Sequence, residues 1–167
     1  MEKKSPIPVC IIGLRDGNKL LLVKRKRQPY SGYWCLIGGT FYLGERIEDV
    51  VKREVKEETG YTPKDDIKIN GMYNEILLNK NDEPSDHFVF IAVQANLDKR
   101  FERNEIVEDT DVETFKWFDL PLKEPITEQI IPTDLIMINN FNSDALTFKQ
   151  FILKDNGEKL KLVDVIE

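Results

Sequence analysis

Three acidic side chains on one predicted helix, Glu54, Glu57 and Glu58, are the strongest candidates for chemistry in this sequence. Helical spacing places Glu54 and Glu58 on the stripe that should face the core, with Glu57 at its edge. The apolar members of that stripe are Ile47, Val50, Val51 and Val55. Like-charge repulsion, the helix dipole and partial burial all oppose this arrangement. A divalent cation between the carboxylates would offset these costs, because hard cations prefer oxygen ligands. The helix alone leaves a second interpretation open, a surface helix with solvated glutamates.

Arg53 and the loop before the helix strengthen the first interpretation. Arg53 lies four residues after Asp49 and four before Glu57, so that it can bridge both and orient the carboxylates. The adjacent glycines Gly38 and Gly39 allow a ligand to approach the backbone closely. Glu45 lies at the helix entrance, where the dipole favours negative charge and where Arg53 is within reach. The loop lacks the Lys-Ser/Thr pair of a P-loop.

Loop and helix together resemble the Nudix box. After Gly39 come five residues, then Glu45, then seven residues, then the segment Arg-Glu-Val-Lys-Glu-Glu-Thr-Gly-Tyr from Arg53 to Tyr61. This is similar to the family's Gly, Glu and Arg-Glu-aliphatic-x-Glu-Glu-x-Gly pattern. The departures are Tyr61 for an aliphatic residue, Ile37 for a common proline, and Tyr42 and Leu43 for a frequent acid and proline. They affect the loop and the substrate preference, and the carboxylate cluster is intact.

The resemblance implies a hydrolase that uses Mg²⁺ or Mn²⁺ to cleave a phosphoanhydride bond in a small nucleotide-like diphosphate. It implies that Glu54, Glu57 and Glu58 hold the metal, helped by the carbonyl of Gly38, while Arg53 orients the glutamates. A bound metal lowers the pKa of water, and a free glutamate can then accept the proton. The catalytic candidates are Glu54, Glu57, Arg53 and Glu113.

A further acid from a later loop is also implied, as base or as extra ligand. Glu105, Asp111 and Glu113 are the alternatives. Glu113 and Asp111 are favoured because they are nearest the predicted strand Thr114–Phe118.

The predicted substrate contacts are Arg25, Gly39, Thr133 and Asp134. In the family a basic residue near Arg25 often meets a phosphate, and some nucleoside-triphosphate-cleaving members read the base near Thr133 and Asp134. A (deoxy)nucleoside triphosphate is therefore the favoured substrate. ADP-ribose and nucleotide sugars stay open, although the proline typical of ADP-ribose-cleaving members is missing from Met72 to Asp82. Four aromatic residues are candidates either for stacking on the ligand or for the core: Tyr30, Tyr33, Phe41 and Tyr42.

Three rival functions are compatible with some of the same residues. A non-catalytic nucleotide-binding module is disfavoured, because an intact set of glutamates is costly without a metal. The net charge of −6 argues against a nucleic-acid partner and hence against an RNA-cap hydrolase. An isomerase of the same fold would need an active-site cysteine, whereas Cys35 lies on a predicted core strand.

The remaining patterns predict a single α+β domain over residues 1–167, with a mixed β-sheet sandwiched between α-helices (α/β/α). Besides the helix Arg46 to Thr59, a second helix is predicted for Pro132 to Asn140. The predicted strands are Val9 to Arg15, Lys19 to Lys26, Tyr33 to Ile37, Ile67 to Leu78, His87 to Ala95, Thr114 to Phe118, Phe148 to Lys154 and Leu160 to Val165.

The setting expected from composition is the cytoplasm. Cys10 and Cys35 lie in apolar stretches and match no disulfide framework or zinc spacing, so that buried, reduced thiols are expected. Residues 1–8 are charged and lack an apolar signal core, and no apolar run is long enough to span a membrane. Related domains are often dimers, so that a homodimer is compatible with the resemblance.

Overall fold

A mixed β-sheet with one helix on each face is the framework of the protein. The structure, a computed structural model, describes residues 5–105 and 110–167. Within these residues the strands are β1 (Ile7–Asp16), β2 (Lys19–Arg25), β3 (Trp34–Cys35), β4 (Ile37–Thr40), β5 (Lys68–Leu78), β6 (Pro84–Asn96), β7 (Val112–Asp119), β8 (Thr147–Asp155) and β9 (Leu160–Ile166). The helices are α1 (Ile47–Thr59) and α2 (Pro132–Asn140), and a short 3-10 helix spans Ile126–Gln129.

Strand β1 connects two parts of the sheet. The strand order is β3-β2-β1-β6-β5-β8-β9, with β4 paired to β1 and β7 paired to β2. Strand β1 runs parallel to β6, and β5 runs parallel to β8, while the other pairs are antiparallel. Because β4 joins β1 beside the start of α1, the loop before the helix is fixed against the centre of the sheet.

Alternation along β1 assigns its side chains to the two helices. Cys10 and Ile12 are fully buried in the cluster that includes Val50 and Val55 of α1. Ile11 belongs to the opposite cluster, with Met137 of α2. Successive side chains of a strand point to opposite faces, so that α1 and α2 cover opposite faces of the sheet. The predicted α/β/α arrangement is confirmed.

Most predicted elements are confirmed, and α1 ends as expected. Gly60 has φ of +71° and its N–H donates to the carbonyl of Lys56, which closes the helix with a left-handed residue. Cys10 and Cys35 are buried free thiols, and burial raises the pKa of Cys10 to about 12. Over the described residues, no helix has the length and hydropathy needed to cross a membrane.

The single strand predicted for Tyr33 to Ile37 is wrong. Two strands occupy this region, and they are separated by Leu36, whose N–H donates to the carboxylate of Asp134 at 2.8 Å. That side-chain hydrogen bond replaces a ladder bond and allows the chain to change partner from β2 to β1. Strand β4 then continues through Gly38 and Gly39 to Thr40, beyond the predicted end.

Candidate active site

A cavity of about 500 Å³ lies between the start of β4, the acidic side of α1 and the beginning of α2. Its charged end is lined by Arg25, Arg27, Gly38, Gly39, Glu54, Glu57, Glu58 and Asp111. Its apolar end is lined by Val9, Ile11, Leu36, Phe88, Phe90 and Ile131, with Tyr30, Glu75 and Asp134 among them. The predicted acidic cluster therefore borders a space with two chemically different ends.

Arg53 is the centre of a charge network behind the acidic cluster. Its Nε and Nη2 donate to the two carboxylate oxygens of Glu45 at 2.6 and 2.8 Å. Nη1 contacts Oε1 of Glu54 and lies 3.5 Å from Oε2 of Glu57, and Nη2 also donates to the carbonyl of Thr40. The hydrogen bonds from Arg53 lower the pKa of Glu45 and keep it charged. Arg53 thus joins the loop to both glutamates, as the sequence predicted for Glu57.

The predicted bridge from Arg53 to Asp49 is wrong. Asp49 accepts hydrogen bonds from the backbone N–H and the guanidinium of Arg46, in a capping box at the start of α1. Arg46, which begins the helix, takes the carboxylate of Asp49 as its partner in place of Arg53. The face of Arg53 lies instead over the ring of Tyr42, with 4.0 Å between the guanidinium carbon and the ring centroid.

Glu54 and Glu58 are held against the two glycines of β4. The carboxylate of Glu54 fills the space that a Cβ at residue 39 would occupy. Burial raises the pKa of Glu54, and the neighbouring Arg53 opposes that rise. The N–H of Gly38 donates to Glu58, which is 6% exposed. Burial, and next the charge of Glu54, raise the pKa of Glu58 well above its usual range.

The donors at this end fit a divalent cation. Among the residues that the structure describes, Oε2 of Glu58 is buried without a hydrogen-bond partner, a costly condition for a carboxylate that is offset when a cation binds. Among residues 5–105 and 110–167, no three His, Cys, Asp or Glu side chains converge closely enough to hold a metal by themselves. Because Arg53 engages Glu54 and Glu57, a cation here would share its ligands among Glu54, Glu57, Glu58, backbone oxygen and substrate phosphate, as Mg²⁺ sites commonly do.

Of the three later-loop acids, only Asp111 reaches the cavity. Asp111 lies 3.8 Å from Nη2 of Arg25 and 3.1 Å from Nη1 of Arg27. Glu113 lies outside the lining, with Oε2 3.9 Å from Nζ of Lys24, and Glu105 is exposed. The preference for Glu113 is therefore corrected in favour of Asp111. Asp111 precedes β7, and the pairing of β2 with β7 shifts register between Lys24 and Arg25, so Asp111 and Glu113 do not follow one regular strand alternation.

Arg25 is where the prediction placed it, at the charged end of the cavity. Its Nε is buried without a hydrogen-bond partner in the described residues. The charge of Arg25 acts on Glu58, whose pKa it lowers against the larger effect of burial. Arg25 thus lies beside the acidic cluster at the charged end of the cavity.

Thr133 and Asp134 lie at the other end, and they differ in access to the cavity. Thr133 is fully buried, outside the lining, and its hydroxyl donates to Oε2 of Glu75 at 2.5 Å. Asp134 borders the cavity, and burial raises its pKa to about 7 against the hydrogen bond from Leu36. A direct substrate contact is therefore open to Asp134 and closed to Thr133.

The sequence analysis missed Glu75 and two phenylalanines. Glu75 is 1% exposed and also accepts a hydrogen bond from the hydroxyl of Tyr30 at 2.6 Å. The rings of Phe88 and Phe90 are parallel, with centroids 5.7 Å apart, and form part of the apolar wall. Alternation along β5 could have identified Glu75, because its side chain points to the same buried face of the strand as that of Tyr73.

Of the four aromatic candidates, Tyr30 and Tyr42 line the cavity, while Tyr33 and Phe41 pack against the core.

Comparison with known proteins agrees with this geometry. The family model described as NUDIX domain matches residues 4–130. In fold, the chain is similar to a MutT protein from Bacillus halodurans, with a TM-score of 0.69 at 21% identity over 95% of each chain.

Three curated relatives carry names of enzymes. An ADP-ribose pyrophosphatase from Bacillus subtilis is 31% identical over 68% of this chain and 58% of its own length. A protein of the same name from Methanocaldococcus jannaschii is 49% identical over 30% of each chain. The nucleoside triphosphatase NudI from Salmonella agona is 33% identical over 54% of this chain and 70% of its own. The match thus spans less than two thirds of the first two relatives.

Proposed function

This chain belongs to the Nudix family, and on that premise we propose that it hydrolyses a phosphoanhydride bond of a nucleoside triphosphate with the help of a divalent cation. The observation that supports this most directly is the buried, unpartnered Oε2 of Glu58 beside Glu54 and Glu57 at one end of the cavity. Stable burial of Glu54 and Glu58 calls for a cation, and Arg25 near them suits a phosphate.

The residues of the chain would each perform one task at the bond that breaks. Arg53 fixes Glu54 through Oε1, and a glutamate oxygen of the cluster that the cation does not engage accepts a proton from the attacking water. The water oxygen bonds to phosphorus, the bridging P–O bond breaks, and the leaving phosphate departs near Arg25. Asp111 positions Arg25 and Arg27 from the outer side.

Glu54, Glu57 and Glu58 would hold Mg²⁺ or Mn²⁺, which neutralises charge on the phosphates and makes the bound water more acidic. The carbonyl oxygen of Gly38 would be a further ligand of the cation. The backbone N–H of Gly38 holds Glu58 in place. Gly39 leaves room for Glu54 next to the backbone.

The apolar end supports a nucleotide as substrate. A pocket that is apolar with a few fixed polar groups is typical of small-molecule sites, and here Phe88 and Phe90 offer a flat wall for a base. The Salmonella relative named as a nucleoside triphosphatase supports this choice. A second candidate, ADP-ribose or a nucleotide sugar, is supported by the two relatives named as ADP-ribose pyrophosphatases.

A substrate screen tests the proposal. Ribo- and deoxyribonucleoside triphosphates, ADP-ribose and nucleotide sugars are incubated with the protein and Mg²⁺ or Mn²⁺, and released phosphate is measured after treatment with alkaline phosphatase or pyrophosphatase as each product requires. We expect turnover of a nucleoside triphosphate that falls by about 10²-fold or more in Glu57→Gln and in Glu58→Gln. The matched control is Glu48→Gln, an exposed glutamate on the same helix. Equal turnover in all three variants would contradict the proposal.

A further inference from the structure

Glu75 is a buried carboxylate that borders the apolar end of the cavity. It occupies an inward position of β5, between the buried side chains Tyr73 and Leu77. An apolar residue would pack there without the cost of burying a charge. Burial raises the pKa of Glu75, although the hydrogen bonds from Thr133 and Tyr30 oppose that rise. A group maintained at such cost beside a cavity is a candidate for ligand recognition.

The register of the strands places Glu75 at the apolar end of the cavity. Glu75 is paired with Phe88 across β5 and β6, so that both side chains lie on one face of the sheet. Strand β4, with Gly38, is separated from β5 by β1 and β6. Three strand spacings amount to about 14 Å. A ligand that reaches both Gly38 and Glu75 must be elongated, with phosphate at one end and a ring at the other.

The hydrogen bonds of Glu75 determine what this part of the cavity offers to a ligand. The hydroxyl of Tyr30 donates to Oε1, and that of Thr133 donates to Oε2. Each hydroxyl has one proton, which is committed to Glu75, so that the oxygen of Tyr30 can only accept. The carboxylate oxygens also only accept. Glu75 and Tyr30 therefore present hydrogen-bond acceptors to the ligand and no donor.

We propose that Glu75 selects bases that present an exocyclic amino group beside Phe88, and disfavours bases that present a carbonyl oxygen at the same ring position. This inference rests on the proposed function, because it assumes that a nucleotide occupies the cavity. An amino group of cytosine donates to the acceptors around Glu75. The carbonyl oxygen of uracil at the same ring position faces the carboxylate without a hydrogen bond, which is costly in a buried site.

The pair CTP and UTP tests the proposal, because the two bases differ at this amino or carbonyl group and in the adjacent ring N–H. For the unaltered protein we expect kcat/KM for CTP to exceed that for UTP by about tenfold or more. In Glu75→Gln the amide supplies a donor in the same shape, so that the ratio should fall to within about twofold, chiefly through KM. Glu83→Gln is the control, because it makes the same chemical change at an exposed glutamate outside the cavity lining and should leave the ratio unchanged.

Binding of CMP and UMP, measured by calorimetry, separates this proposal from the proposed function. If no triphosphate is hydrolysed but CMP binds better than UMP, the catalytic proposal fails and the role of Glu75 stands. If both triphosphates are hydrolysed with equal kcat/KM by the unaltered protein, the role of Glu75 is overturned and the proposed function stands. An unchanged CTP-to-UTP ratio in a folded Glu75→Gln variant, with folding checked by circular dichroism, overturns it as well.

Discussion

The carboxylate of Glu54 fills the space that a side chain at residue 39 would need. This relationship explains why a glycine stands at that position of β4, where the backbone itself is extended and paired with Cys10. The absence of a side chain at Gly39 allows β4 and α1 to approach each other closely. It allows the acidic side of α1 to lie directly against the edge of the cavity.

Gly39→Ala should therefore displace Glu54 and lower turnover. We expect kcat to fall by about 10- to 100-fold, since small displacements of a catalytic group have effects of that size. Gly157→Ala is the control, because Gly157 has φ of +87° in the turn between β8 and β9, far from the cavity lining. That variant should lose about 1 kcal/mol of stability and keep its turnover. Steady-state kinetics and thermal unfolding of both variants provide the comparison, and full activity in Gly39→Ala would show that Glu54 needs no such position.

Arg53→Lys should impair the site even though it preserves the charge. One lysine cannot reproduce the two hydrogen bonds to Glu45 together with the contact to Glu54. We expect kcat to fall by about tenfold or more, with a smaller change in KM. Arg46→Lys alters an exposed pair with Asp49 and should leave both constants unchanged. Identical kinetics for the two variants would show that Arg53 has no part in positioning the catalytic glutamates.

Asp111 and Glu113 make a matched pair that identifies the later-loop acid. Asp111→Asn removes the charge that holds Arg25 and Arg27 at the cavity, so kcat/KM should fall by about tenfold. Glu113→Gln loses only a contact to Lys24 and should behave as the unaltered protein. If Glu113→Gln is the more damaged variant, then Glu113 and not Asp111 is the later-loop acid of the site.

Asp134 gives the protein a pH-dependent stability. Burial raises its pKa from 3.8 to about 7 in the folded protein, against the hydrogen bond from Leu36 and with a further rise from Glu75. The folded state then binds the proton more tightly than the unfolded chain, so stability is lost as pH rises from about 4 to about 7. A shift of that size corresponds to about 4 kcal/mol at most. Asp134→Asn cannot ionise, and its carbonyl oxygen still accepts from Leu36.

The melting temperature of Asp134→Asn, minus that of the unaltered protein, should accordingly increase between about pH 5 and about pH 8. Asp144→Asn, at a fully exposed aspartate, is the control and should give a constant difference. Parallel curves for Asp134→Asn would show that this carboxyl is not perturbed by burial.

The sequence predicted the local features of the site well. Helix α1, its glycine cap and the inward position of Glu54 and Glu58 follow from periodicity within a short segment. The pairing of Arg53 with Glu57 follows from their spacing by four residues. Such features depend on neighbours along the chain, and these are visible in the sequence.

The apolar end of the cavity depends on contacts between distant segments. The parallel pairing of β5 with β8 and the pairing of Glu75 with Phe88 decide which side chains meet there. The hydrogen bond from Leu36 to Asp134 joins residues 98 positions apart and divides one predicted strand into two. Spacing within a segment does not encode these partners, so the role of Glu75 and the choice of Asp111 needed the structure.

Binding of Mn²⁺ shows whether Glu54, Glu57 and Glu58 hold a cation at the phosphates of the substrate. It is followed by electron paramagnetic resonance or calorimetry in the presence of a non-hydrolysable nucleotide. We expect the unaltered protein and Glu48→Gln to take up Mn²⁺, and Glu57→Gln and Glu58→Gln to bind it at least about tenfold more weakly. No uptake by the unaltered protein, or equal affinity in all four proteins, would contradict this role of the glutamates.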